Sequence, residues 1–143
     1  MRFSTRTTID APVATVWSIL TDVAAWPTWN TTVTSTEGTA ALGAKVTVRV
    51  TANPGRAFPV KVTALDAPTR MVWTGGMPLG LFTGTRTYSL TPVGSTTEFA
   101  MEEVYTGLLA SMVTRSIPDL GPSFDEFAAC LRTRAESAVR DPS

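Results

Sequence analysis

No histidine occurs in the chain, and that absence removes more chemistry than any other feature. It excludes histidine-based triads, most catalytic zinc sites and the commonest general base near neutral pH. The single cysteine, Cys130, cannot form an internal disulfide, as expected of a cytoplasmic chain. Without a histidine beside it, a papain-like nucleophile is not expected either. Charge of one sign is also lacking. Twelve basic and twelve acidic residues cancel, so no long-range field draws in nucleic acid or an anionic membrane. No apolar run approaches the roughly 20 residues that span a bilayer, so no membrane insertion is expected. The opening Met1-Arg2-Phe3-Ser4-Thr5-Arg6 enters alternating polarity at once, so no signal peptide is expected. No metal-ligand cluster or phosphate loop is present in the sequence, so neither metal nor cofactor is called for. Chemistry here rests on carboxylates, arginine, tyrosine, hydroxyls or positioning.

What is present is organised around the stretch from Leu81 to Gly107. It reads as two long strands, rich in the Thr, Tyr, Phe and Val that suit a pleated surface. Side chains alternate with a period of two, so Gly84, Arg86, Tyr88 and Leu90 share one face, as do Thr97, Phe99, Met101, Glu103 and Tyr105. A four-residue loop at Val93-Gly94-Ser95-Thr96, closed by Pro92 and Thr97, sets Leu90 opposite Phe99, Tyr88 opposite Met101 and Arg86 opposite Glu103. An apolar face holding one ion pair resembles a pocket lining more than plain core.

The rest of the chain, residues 1–143, is expected to form a single domain. Arg2 to Asp10 alternates as a half-buried strand, and Asp10-Ala11-Pro12 starts a helix carrying Val13, Val16, Trp17 and Leu20. Asp22 leads into a second short helix that ends at Trp26-Pro27. Strands follow over Thr32 to Glu37, Lys45 to Thr51, the Phe58-Val60-Val62 stretch, and Met71 to Trp73, the last ending at Gly75-Gly76. The tail predicts a short helical piece near Leu109 to Thr114 and a long helix from about Pro118 to Val139, interrupted or kinked at Gly121-Pro122. Phe124, Phe127, Ala128, Leu131 and Ala135 form its apolar face. One strand, two short helices, six strands and a long helix make an α+β architecture, a seven-stranded antiparallel sheet with a helix against one face.

The chain resembles the START-like, helix-grip superfamily known as SRPBCC, in its polyketide cyclase/dehydrase and lipid-transport branch. The resemblance rests on Ile9-Asp10-Ala11-Pro12 with Val16-Trp17 and Asp22, on Trp26 and Trp29-Asn30, and on Glu37-Gly38 and Gly43. It continues through Pro68, Met71, Trp73, Gly75, the run Gly84-x-Arg86-x-Tyr88-x-Leu90, Glu103-x-Tyr105-x-Gly107 and the tail Leu131-Arg132-x-Arg134-x-Glu136. It implies a curved seven-stranded sheet gripping the C-terminal helix, with a cavity between them for an apolar small molecule. Arg86 stands where similar sequences commonly have histidine, and Thr31 and Thr32 stand where proline and an apolar residue are usual. The first departure removes histidine-dependent chemistry; the second makes the cavity mouth more polar.

On this reading Met71, Trp73, Phe99, Met101 and Phe58 line the cavity, and Trp29 stands at its rim. Arg86 and Glu103 supply its main polar feature, and Tyr88 and Tyr105 offer hydroxyls that could orient a ligand carbonyl. The same four residues, Arg86, Tyr88, Glu103 and Tyr105, are the candidates for catalysis if there is any. The expected function is binding or carriage of a small hydrophobic molecule such as a lipid, polyketide or aromatic metabolite, by a monomer or homodimer. The alternative is a polyketide cyclase or dehydratase acting by substrate folding and carbonyl polarisation. A protein-interaction module like the superfamily's co-chaperones is a third reading. It needs an exposed apolar patch, whereas the apolar residues fall mainly on inward faces. The Gly75 to Gly80 loop and Trp26-Pro27-Thr28-Trp29 are expected to flank the cavity mouth.

Overall fold

Alternating side chains make Arg2–Ile9 the first strand, β1, with Phe3 and Ile9 turned inward. The structure, a computed structural model, describes residues 1–140. Pro12 precedes helix α1 (Val13–Thr21), which buries Val16 and Leu20. A 3₁₀ segment, Val23–Thr28, follows and buries Val23 and Trp26. Pro27 lies inside it, and a residue without an amide proton cannot extend a helix of the α type.

The remaining strands are β2 (Val33–Gly38), β3 (Lys45–Val50), β4 (Ala57–Asp66), β5 (Arg70–Met77), β6 (Phe82–Val93) and β7 (Thr96–Thr106). All seven form one antiparallel sheet in the order β1-β7-β6-β5-β4-β3-β2, so the first strand closes against the last. Register shifts at Val33/Ser35 and Val62/Ala64 add local bends of the kind that curl a sheet. Two helices complete the chain, a short α2 (Ala110–Thr114) and the long α3 (Gly121–Arg140) on the concave face. The α+β class, the element order and the curved sheet gripping a helix are as the sequence predicts.

Most strand ends differ by a residue or so, and the second short helix runs past Trp26-Pro27 to Thr28; three further differences bear on the hairpin, β5 and the long helix. The β6–β7 turn is only Gly94-Ser95, because Val93 still pairs with Thr96; Gly94 takes φ 61° there, as a two-residue hairpin turn requires. Strand β5 does not stop at Gly75-Gly76 but runs to Met77, with Gly75 opposite Gly84 and Met77 opposite Phe82. The long helix begins at Gly121 rather than Pro118, and Gly121-Pro122 open it instead of kinking it. Proline fits a first helical turn, whose amides have no partner inside the helix. The Asp119 side chain accepts from the Gly121 amide at 2.9 Å.

Helix α3 buries Phe124, Phe127, Ala128, Leu131 and Ala135 against the sheet. Each large apolar side chain so buried contributes about 1.5–3 kcal/mol. The space expected as an open cavity is filled here by aromatic rings. Trp26, fully buried, stacks on Trp73 with centroids 5.2 Å apart and meets Phe127 edge-on at 5.1 Å. Tyr88 packs edge-on against Trp73 at 5.1 Å, and Phe99 stacks on Phe127 at 6.0 Å. Trp26 therefore lies within the core, not at a mouth. Two shallow concavities lie elsewhere, one of about 430 Å³ between β1 and α3 and one of about 310 Å³ on the outer face of β1, β6 and β7.

Candidate functional site

One inward row of side chains crosses five strands: Phe3 on β1, Glu103 on β7, Arg86 on β6, Trp73 on β5 and Val62 on β4. Arg86 donates from Nη2 to Glu103 Oε2 at 3.2 Å, and the Tyr105 hydroxyl donates to the same oxygen at 2.7 Å. The Arg86 guanidinium also lies 4.9 Å from the ring centre of Phe124 on α3, within cation–π range. Helix and sheet thus converge on one ion pair. Its side chains keep 21% and 15% of their surface accessible, so the pair is covered but not sealed. By contrast Glu98 and Glu102 point outward, where they pair with Arg6 and Arg2 across β1 and β7.

Tyr105 reaches Glu103 because its neighbours leave it room. Its cross-strand partner is Gly84, and a Cβ there would stand 3.3 Å from the Tyr105 ring. Phe82 stacks on Tyr105 at 5.6 Å from one side, and Phe3 meets it edge-on at 6.3 Å.

The electrostatics keep every donor charged or protonated. Burial is the largest single influence and pulls the Arg86 guanidinium down, but Glu103 first and Tyr88 second together outweigh it and the net shift is upward. Burial pushes the Tyr88 phenol up to about 12, with the Arg86 cation drawing it back. Tyr105 is raised as well, by burial and by the negative charge of Glu103. Two further groups are notable. The Tyr88 hydroxyl and the Trp73 Nε1–H are buried without a hydrogen-bond partner, and an unsatisfied buried group costs about 1–3 kcal/mol. Around Arg86, donors outnumber acceptors; Glu103 is the only carboxylate in this cluster, and it already accepts from two of them.

The structure brings together Arg86, Glu103, Tyr105, Tyr88 and Trp73. Met71 and Met101 flank Tyr88 as its cross-strand partners, and with Phe99 they lie in packed core. Phe58 lies apart on β4, opposite Val48, with Arg56 over its ring at 5.5 Å. Trp29, half-buried, packs edge-on against Trp26 and Phe127 at 6.1 Å each. The Gly80 and Leu81 carbonyls accept from the Leu108 and Leu109 amides, so the β5–β6 loop abuts the approach to α2. Sequence reasoning missed the aromatic residues that complete the cluster: Trp26, Phe82, Phe124 and Phe127. The two on α3 were marked by helical spacing as core; nothing local marks Phe82 or the inward turn of Trp26.

A curved antiparallel sheet closed over a long C-terminal helix, with one ion pair on its inner face, defines a helix-grip domain. No helix among the described residues is long and apolar enough to cross a membrane. The chain belongs to the polyketide cyclase/dehydrase and lipid transport family, whose sequence profile matches residues 1–136. Among solved structures it is similar to the Zhui aromatase/cyclase of a Streptomyces species, at 13% identity and TM-score 0.79, covering 100% of this chain and 98% of that one. It is similar to a START superfamily protein of Mycobacterium smegmatis, at 18% identity and TM-score 0.73, covering 95% and 97%. A third neighbour, protein jhp0584 of Helicobacter pylori, is 11% identical with TM-score 0.75, covering 94% and 88%. At such identities the likeness concerns the fold. Among curated proteins no match is found.

Proposed function

We propose that this chain binds a small apolar molecule between the sheet and α3, with Arg86, Glu103 and Tyr105 as its polar anchor. The observation that carries the reading is the Arg86–Glu103 pair on an otherwise apolar inner face, 3.2 Å apart and still partly accessible. Burying two charges costs desolvation energy that a surface pair avoids, so a pair kept on the inner face calls for a use. Arg86 has five N–H donors and spends one of them on Glu103. A carboxylate, phenol or ketone on an apolar ligand would take others. The single free cysteine suits a reducing compartment such as the cytoplasm.

A second reading is favoured by the surplus of donors. Arg86 beside two protonated tyrosines could polarise a carbonyl and stabilise an enolate, as a polyketide cyclase or dehydratase requires. The aromatase/cyclase among the structural neighbours supports that reading by analogy of fold alone. Native mass spectrometry of protein purified from its own host tests the binding reading directly. A co-purifying small molecule lost from the Arg86→Met variant supports it. Retention of the same molecule by that variant sinks the anchor assignment. Incubation with a poly-β-ketone separates the two readings: a carrier returns it unchanged, and a cyclase returns a ring.

A further inference from the structure

Trp26 reaches the core from an irregular segment, yet its indole sits in a slot shaped for a flat ring. Trp73 forms one wall, stacked at 5.2 Å and 20°. Tyr88 and Phe127 present edges at 6.1 and 5.1 Å, with interplanar angles of 71° and 82°. Two of the rings that form this slot carry a buried polar group with no partner, the Trp73 Nε1–H, which only donates, and the Tyr88 hydroxyl, which donates and accepts. Trp26 cannot supply what they lack. An indole carries no acceptor, and its own Nε1–H already donates to the Leu20 carbonyl at 3.0 Å. Trp26 thus meets the slot's demand for apolar area and leaves its polar demand unmet. Arg86 adds donors on the same side, opposite Trp73 in the register and two residues from Tyr88.

We propose that Trp26 is a built-in occupant of a ligand subsite, displaced by a flat aromatic ring bearing an oxygen acceptor that takes hydrogen bonds from Trp73 Nε1 and Tyr88 Oη. The inference rests on the reading that a ligand enters the helix–sheet space, and it adds where and in what chemical form. A ring exchanged for an indole keeps the apolar burial nearly constant. The oxygen then satisfies donors that the indole leaves unpaired. A ligand that only donates can pair with the Tyr88 oxygen alone and leaves the Trp73 Nε1–H without a partner. The segment that must yield is short. It is held by the Trp26–Leu20 bond, by the Thr36 hydroxyl on the Val23 carbonyl at 2.8 Å, and by the Trp29 and Asn30 amides on the Trp26 carbonyl.

The test uses two probes that differ only in one carbonyl, 9-fluorenone and fluorene. In the native protein, 9-fluorenone shifts the Trp26 and Trp73 indole N–H resonances together, and Trp73 moves toward the hydrogen-bonded range. Trp26→Ala empties the slot and tightens 9-fluorenone binding by about tenfold or more. In that background 9-fluorenone binds tighter than fluorene, and adding Trp73→Phe with Tyr88→Phe erases the preference. Equal binding of the two probes, or no gain from Trp26→Ala, overturns the proposal. Binding that depends on Arg86 while the Trp26 resonance stays still overturns the displacement but leaves the anchor reading intact. No binding of 9-fluorenone by native or variant protein overturns both. Should Trp26→Ala not fold, the native resonances decide alone.

Discussion

At Gly84 a missing Cβ sets the position of Tyr105, and through it the second hydrogen bond on Glu103. Alanine there would bring a Cβ within 3.3–3.4 Å of the Tyr105 ring, so the ring must shift by a few tenths of an ångström against Phe82. Gly84→Ala is therefore expected to destabilise by about 1 kcal/mol, at the low end for overpacking. It should also bring the Tyr105 titration down by loosening the bond to Glu103. At Gly75 the same substitution meets backbone, 2.9 Å from the Pro59 carbonyl oxygen, and should cost more, about 2–3 kcal/mol. Urea unfolding of both variants checks the order; equal losses would mean that the ring at Gly84 is as rigid as the backbone at Gly75. The ion pair gives a second comparison. Breaking a buried pair costs about 3–5 kcal/mol. With both partners partly accessible, Arg86→Met should cost about 2–3 kcal/mol after allowance for screening. Adding Glu103→Gln should recover much of that loss without restoring ligand binding. The pairing itself was legible in the sequence, because alternation and a tight turn together fix a register. Whether four residues or two make the turn, Arg86 still meets Glu103.

The element scale shows where legibility ends. Strands and the apolar face of α3 follow from periods of two and 3.6, and the larger boundary shifts fall where glycine and proline act by context. The 3₁₀ segment has no such period. Its rings could go inward or outward, and only packing against Trp73 and Phe127 decides that Trp26 goes in while Trp29 stays half-buried. The filled slot was for that reason invisible beforehand. Another long-range tie was equally hidden. Glu136, near the end of α3, accepts from the Asp10 backbone amide at 2.9 Å and from Arg132 Nε at 3.2 Å. It fastens the long helix to the β1–α1 junction, where Thr97 also holds the Ala11 carbonyl. The Asp10 amide above all, then Arg132, lowers the Glu136 carboxyl below its ordinary range. A depressed folded value means stability that is present above the unfolded carboxylate range and is lost as acid protonates the folded group. Glu136→Gln is expected to cost about 1 kcal/mol or less near neutrality. It should also flatten part of the acid limb of the stability curve. A variant with an unchanged acid limb would show that other carboxylates govern it.

For the molecule as a whole, the absence of histidine returns as a physical property. With no imidazole to titrate, stability should hold a plateau through the neutral range, bounded by carboxylates in acid and tyrosines in alkali. The alkaline edge is the sharper of the two, because the only two tyrosines both sit at the candidate site. Burial raises Tyr88 to about 12 from an ordinary 10, and Tyr105 is raised too, by burial and Glu103. A phenol with a raised folded value ionises first in the unfolded chain. The stability its neutral form secures is complete below pH 10 and drains away as pH rises from 10 through about 12. For Tyr88 alone that loss is on the order of 2–3 kcal/mol, a large part of the margin of a small domain. Phenolate absorbance and circular dichroism should therefore rise and fall together in one cooperative step above pH 10. Replacing both tyrosines with phenylalanine should move the unfolding edge to higher pH, even though the Tyr105–Glu103 hydrogen bond is lost. A tyrosine that ionises near pH 10 while the dichroism stays native would place its hydroxyl in contact with water and undo the account of the donor cluster around Arg86.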